Sequence, residues 1–132
     1  MPGSFVAEGT IRPMRIVKHG TTAGLVAEAT GVTDDFVGIS GQGTRFAPWD
    51  ELDDGNHAIV TENVVVKQDG EKRVKLELGG TVTIGQWVTS HTDGTGLAST
   101  TDRDNVVGKA RMGGVAGEII EVDIIIGERS TA

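Results

Sequence analysis

Three histidines, nineteen carboxylates and no cysteine are the raw material for any chemistry in this 132-residue chain. Without cysteine, disulfides, thiolate zinc sites and thiol nucleophiles are excluded. His19, His57 and His91 are scattered, and none falls in HExxH or another ligand spacing, so no metal is expected and each reads as an ordinary turn or surface histidine. The acidic run Asp50, Glu51, Asp53, Asp54 lacks the alternating oxygen ligands and obligatory glycine of a calcium loop, and reads as a solvated acidic loop. "DRDN" (102–105) brings two carboxylates close together, with no partner to set an acid apart from a base. "RMGGVAG" (111–117) has neither the lysine nor the following helix of a phosphate cradle, and no Gly-x-Ser-x-Gly elbow occurs. No catalytic residues, no cofactor and no enzyme activity are expected.

The elements that would carry any site are strands. Val and Ile total 26 against 8 for Leu and Met, Thr reaches 15 and Gly 20. Branched side chains lose rotamer freedom in helices but fit a pleated surface, and glycine supplies the positive φ of tight turns. The expected fold is all-β: a compact β-sandwich or β-barrel-like domain with short strands, glycine-rich turns and one long loop at 43–56. "TIRPMRIVK" (10–18) reads as a first strand, placed at an edge because Pro13 cannot donate a ladder hydrogen bond. "GLVAEA" (24–29) and "FVGIS" (36–40) read as a pair joined by "TGVTDD". The runs 56–68 and 71–78 read as a hairpin about Asp69-Gly70, with Val74, Leu76 and Leu78 on one face. In "TVTIGQWV" (81–88) alternation puts Val82, Ile84 and Val88 on one face and Thr81, Thr83 and Trp87 on the other, with Gly85 marking a bulge or close approach. The last strand, "GEIIEVDIIIG" (117–127), alternates Ile120, Val122, Ile124 and Ile126 with Ile119, Glu121, Asp123 and Ile125. It is apolar on both faces and needs burial on both.

One domain is expected over 10–127, preceded by a flexible N-terminal arm at 1–9 and followed by a tail at 128–132. The arm carries Phe5 and Val6, which are expected to order on a neighbouring subunit. The loop "GTRFAPWDELDDGN" (43–56) combines Phe46 and Trp49 with carboxylates. Proline and acidic residues, not apolar strand neighbours, flank Trp49, so it reads as a binding anchor, while Phe46 fits either its own domain or a partner. Asp50, Glu51, Asp53 and Asp54 would complement a basic partner. A net charge of −7 argues against nucleic acid, which needs clustered Lys and Arg, and no stretch has the apolar length of a membrane span or signal peptide. Synthesis in the cytoplasm is expected.

Read in order, "RPMRIVKHGTTAGLVAEATGVTDDFVGIS", "GGTVTIGQWVTSHTDGTGLAST" and "NVVGKARMGGVAGEIIEVDI" resemble the small head decoration, or cement, proteins of tailed bacteriophages. The resemblance covers roughly 10–124, and its closing pattern falls on Val107, Gly108 and Ala110, then Gly117, Glu118, Ile120 and Val122. It implies a structural virion protein on the outer capsid surface, bridging subunits of the major capsid protein, often as a homotrimer and in some relatives as a dimer or monomer. The tip "SHTDGTG" and the loop 43–56 are then the candidate contact surfaces. Two other classes remain open: a carbohydrate-binding β-sandwich using Trp49 or Trp87, and a small trimeric β enzyme such as a deoxyuridine triphosphatase. The absence of tyrosine counts against the latter.

Overall fold

The structure, a computed structural model, describes residues 5–22, 24–31, 34–41, 63–64, 66–99 and 105–128. Phe46, Trp49, Asp50, Glu51, Asp53, Asp54 and His57 lie outside the described residues, as does the rest of the long loop. The fold is all-β, as composition dictates. In chain order the strands are β1 (Phe5–Ala7), β2 (Ile16–His19), β3 (Leu25–Glu28), β4 (Phe36–Ser40), β5 (Asn63–Val64), β6 (Val66–Gln68), β7 (Val74–Glu77), β8 (Trp87–Ser90), β9 (Gly96–Ala98), β10 (Asn105–Ala110) and β11 (Ile119–Glu128).

Six of them form one sheet in the order β5-β1-β3-β2-β4-β6, and five form a second in the order β7-β11-β10-β8-β9. The two ends of the first sheet, β5 and β6, are neighbouring stretches of one run, 63–68. That sheet therefore curls until its edges meet in a small barrel, the arrangement that removes exposed strand edges. Its interior is filled by Ala7, Ile11, Val17, Val26, Val37, Val64 and Val66. The second sheet packs on the outside of the barrel through a larger core in which Ile16, Phe36 and Ile39 meet Leu76, Val88, Val107, Ile120, Val122 and Ile124.

β4 belongs to both cores and is buried along its whole length. Its register against β2 slips between Val17 and Lys18, leaving Val37 as an extra residue. The bulge turns Val37 into the barrel while Phe36 and Ile39 face the second sheet. Each fully buried aliphatic side chain contributes about 1.5–3 kcal/mol, so this strand ties the two layers together.

Several expectations are revised. The Asp69-Gly70 turn exists, with Gly70 at φ 92°, but it is not a hairpin: β6 pairs with β4, and β7 pairs with β11 in the other sheet. The Gly70 N–H donates to Ile124 O and the Ile126 N–H to Asp69 Oδ1, so β11 takes the place of the expected partner strand. β3 and β4 do not pair with each other, because β2 lies between them. β2 is an interior strand, since it begins at Ile16, clear of Pro13, which stands in the preceding turn. The expected arm at 1–9 does not extend over Phe5–Ala7, which form β1 between β3 and β5, with Ala7 buried in the barrel.

Candidate functional site

Among the described residues, three turns are built alike. Gln68–Glu71, Thr83–Gln86 and Val115–Glu118 each read x-x-Gly-Glu/Gln, with the glycine at φ 92°, 84° and 88°. In each, the N–H of the last residue donates to the carbonyl of the first, at 3.1, 3.2 and 3.0 Å. The side chain of the last residue then reaches back and accepts the N–H of the first, at 2.5, 2.8 and 2.8 Å. Only glycine takes the positive φ at the third position without strain, and the terminal Glu or Gln closes the ring from outside.

Two of these turns are joined. Val82 and Gly114 exchange both backbone hydrogen bonds at 2.9 Å, and Gly85 N–H donates to Ala110 O at 2.9 Å. The turn 83–86 is thereby fixed beside the segment 112–118, forming a rigid tip at one end of the second sheet. Ile84 is 73% exposed there and Val115 52%, and Met112 and Ile119 are exposed as well. The alternation that put Ile84 with Val82 and Val88 is overturned for this residue: Gly85 is a turn corner and not a bulge within a continuous strand, so the ladder is interrupted between Val82 and Trp87. Large apolar side chains held in water on a braced turn gain nothing for the fold, which makes this tip the candidate interface.

The segment "SHTDGTG" forms a latch between barrel and sheet, with Thr92 and Asp93 exposed. Asp93 O accepts from Arg15 Nη1 at 3.0 Å and Arg12 Nη2 at 3.3 Å, and Ile16 N–H donates to Gly94 O at 2.8 Å. Gly94 and Thr95 are buried, and a Cβ on Gly94 would come within 3.1 Å of Ile16 O. The small residues are there because the turn packs against β2. Arg15, buried, also reaches Glu77 Oε2 at 3.3 Å and so bridges to β7.

A hollow of about 460 Å³ opens between the layers at His19, Asp35, Phe36, Asn105 and Ile126. Its polar groups do not converge: Asn105 Nδ2 donates to Asp34 O, and His19 N–H to Asp35 O. Among the described residues no group of three or more His, Asp or Glu could hold a metal ion. Phe5 and Val6, expected at an interface, are half-buried in the barrel wall. Trp87 lies half-buried on the outer face of the second sheet, with Lys109 Nζ over its ring, 5.4 Å from the centroid.

No family model and no curated protein matches the chain. Among solved structures, the crystal structure of the head fiber gp8.5 N base of bacteriophage phi29 matches over 92% of this chain and 91% of that one, with a TM-score of 0.51 and 15% identity. The fold is similar to that of a phage head-fiber base. At this identity the likeness is one of architecture.

The electrostatics of the latch and of the second sheet set a pH dependence. Burial pushes the Asp93 carboxyl up, but the Thr95 hydroxyl and N–H and the charges of Arg15 and His91 outweigh it and hold it below the ordinary value. The Thr21 hydroxyl and N–H lower Glu8 in the same way. Burial likewise raises Asp123, and the Arg73 N–H, Arg111 and Lys72 more than reverse it. A carboxylate with a depressed folded pKa adds stability above its unfolded pKa, near 4, and loses it as pH falls through the folded value. The melting temperature is therefore expected to fall steadily between about pH 5 and pH 2, and Asp93→Asn to flatten that slope. Melting curves across the range check this; a midpoint that rises on acidification is the opposite sign.

Proposed function

We propose that this chain is a structural, non-enzymatic virion protein that attaches to the outer surface of a phage head and bridges subunits of the major capsid protein. The observation that carries the reading is the shared architecture with a phage head-fiber base over nine-tenths of both chains. The resemblance of the sequence to head decoration proteins supports it independently. In this account the barrel and the second sheet are framework, and attachment uses surface: the tip carrying Ile84, Met112, Val115 and Ile119, together with Phe46, Trp49 and the carboxylates of the loop 43–56. Self-association as a homotrimer belongs to the same proposal, with Ile119 and Ile125, both exposed on the outer face of β11, as its apolar contacts.

A tip fixed by hydrogen bonds before binding loses little conformational freedom on docking, so its apolar residues act as preorganised anchors. Ile84→Ser with Val115→Ser is expected to leave the melting temperature within about 2 °C, because exposed positions contribute little to folding. The same pair should weaken co-sedimentation with undecorated capsids by about tenfold or more. Undiminished co-sedimentation would remove the tip from the interface.

A further inference from the structure

Against a net charge of −7, the twelve Lys and Arg of this chain are distributed unevenly. Four of them, Lys67, Lys72, Arg73 and Lys75, line one hollow of about 140 Å³ beside the end of β4. Glu71 is the one carboxylate in the lining, and its Oε2 is already engaged by the Gln68 N–H. Lys75 Nζ lies 3.2 Å from Glu121 Oε2. Asp123 stands behind it, accepting the Arg73 N–H at 3.1 Å and pairing with Arg111. With Glu71, Glu121 and Asp123 all counted against the four lining cations, the hollow still keeps a surplus of one positive charge.

Arg73 adds a conformational observation. Its backbone has φ 56°, a left-handed conformation that is strained for a residue other than glycine. The neighbouring turn solves the same problem with Gly70. Position 73 keeps an exposed arginine instead, held in place by its N–H on Asp123 Oδ1 at 3.1 Å. Strain retained at an exposed cation beside a concave surface is a mark of a side chain needed for contact and not for packing.

Size decides what the hollow accepts. Small-molecule sites run to about 300–1,000 Å³, and this one, at about 140 Å³, is too small for a whole ligand of that kind but takes the end of an acidic side chain. The geometry points to a socket for an acidic side chain, an Asp or Glu of the capsid subunit on which the protein docks. The inference rests on the capsid-binding reading above and adds to the apolar tip a polar contact that fixes register. Rim cations of this kind act chiefly through steering and specificity, and their effect is screened by salt.

The test is the double variant Lys72→Glu with Arg73→Gly, measured as the full chain. Binding to undecorated capsids at about 0.1 M salt should weaken by tenfold or more, with a shallower salt dependence than wild type. The melting temperature should hold or rise, because glycine at 73 relieves the left-handed strain. Unchanged capsid affinity overturns the socket, and so does a melting temperature several degrees lower, which would assign these cations to the fold. Inorganic phosphate, titrated while backbone amide resonances are followed, separates a free-anion site: submillimolar binding with undiminished capsid affinity also overturns the inference. If wild type binds no capsid, the capsid reading falls on its own. The socket is then judged with a hexaglutamate peptide, where amide shifts confined to 71–75 support it and their absence overturns it.

Discussion

Gly38→Ala should lower the melting temperature by about 10 °C or more, although it adds a single methyl group. Gly38 lies in the middle of β4, with Val17 of β2 on one side and Gln68 of β6 on the other. A Cβ at this position would stand 1.8 Å from Lys67 O and 2.9 Å from Lys67 C. Those are backbone atoms of the strand that closes the barrel, and they cannot swing away as the end of a flexible side chain can. The methyl group must displace β6 from β4 and open the barrel where it meets the second sheet. Overpacking with backbone displacement costs about 3 kcal/mol, and each kcal/mol is worth about 3–5 °C in a domain of this size. Gly70→Ala is the control, because nothing lies within 4 Å of a Cβ there and only the φ of 92° resists it. A Gly38→Ala midpoint within 3 °C of wild type would contradict the closed barrel.

Deletion of residues 2–8 is the second large effect, and it distinguishes a barrel strand from an arm. β1 pairs in parallel with β3, antiparallel with β5, and its flanking amides donate from Val6 to Gly24 O at 2.9 Å and from Glu8 to Val26 O at 2.8 Å. Removing it takes Ala7 out of the barrel, uncovers Val26 and Val64, and frees the edges of two strands. A loss of about 3 kcal/mol or more is expected, read as a steep fall in midpoint or as insoluble protein. An arm that orders only on a neighbour would leave the midpoint unchanged.

Sequence periodicity carried the second sheet well. Val74, Leu76 and Leu78 are buried on one face as their spacing implies, and in β11 the buried Ile120, Val122 and Ile124 alternate with exposed Ile119 and Ile125. Period two is a property of the strand itself, so it is readable before any partner is known. Which strands pair is not. Asp69-Gly70 encodes a tight turn, but turn chemistry fixes four residues and does not decide which sheet the next strand joins; the packing of Val74 and Leu76 into the larger core does. The candidate tip is hidden in the sequence by the alternation that runs through Gly85. The x-x-Gly-Glu/Gln shared by 68–71, 83–86 and 115–118 is too weak a signal to reveal it, because Ile125-Ile126-Gly127-Glu128 repeats the pattern inside β11; what makes Ile84 a corner residue is the positive φ of Gly85. Closure of the barrel had no local signal, because it depends on β1 and β4 meeting opposite halves of the run 63–68.

Attachment to a phage head and bridging of its subunits is the central claim, and calorimetry of undecorated capsids tests it most directly. A protein that binds only the assembled shell stabilises it by mass action, by about 2.7 kcal/mol per site at a hundredfold excess over Kd. With saturating full-length chain, the capsid transition should move up by several degrees and reach a plateau at a fixed ratio of chain to major capsid subunit. A transition that stays in place at every concentration of the chain would contradict the account.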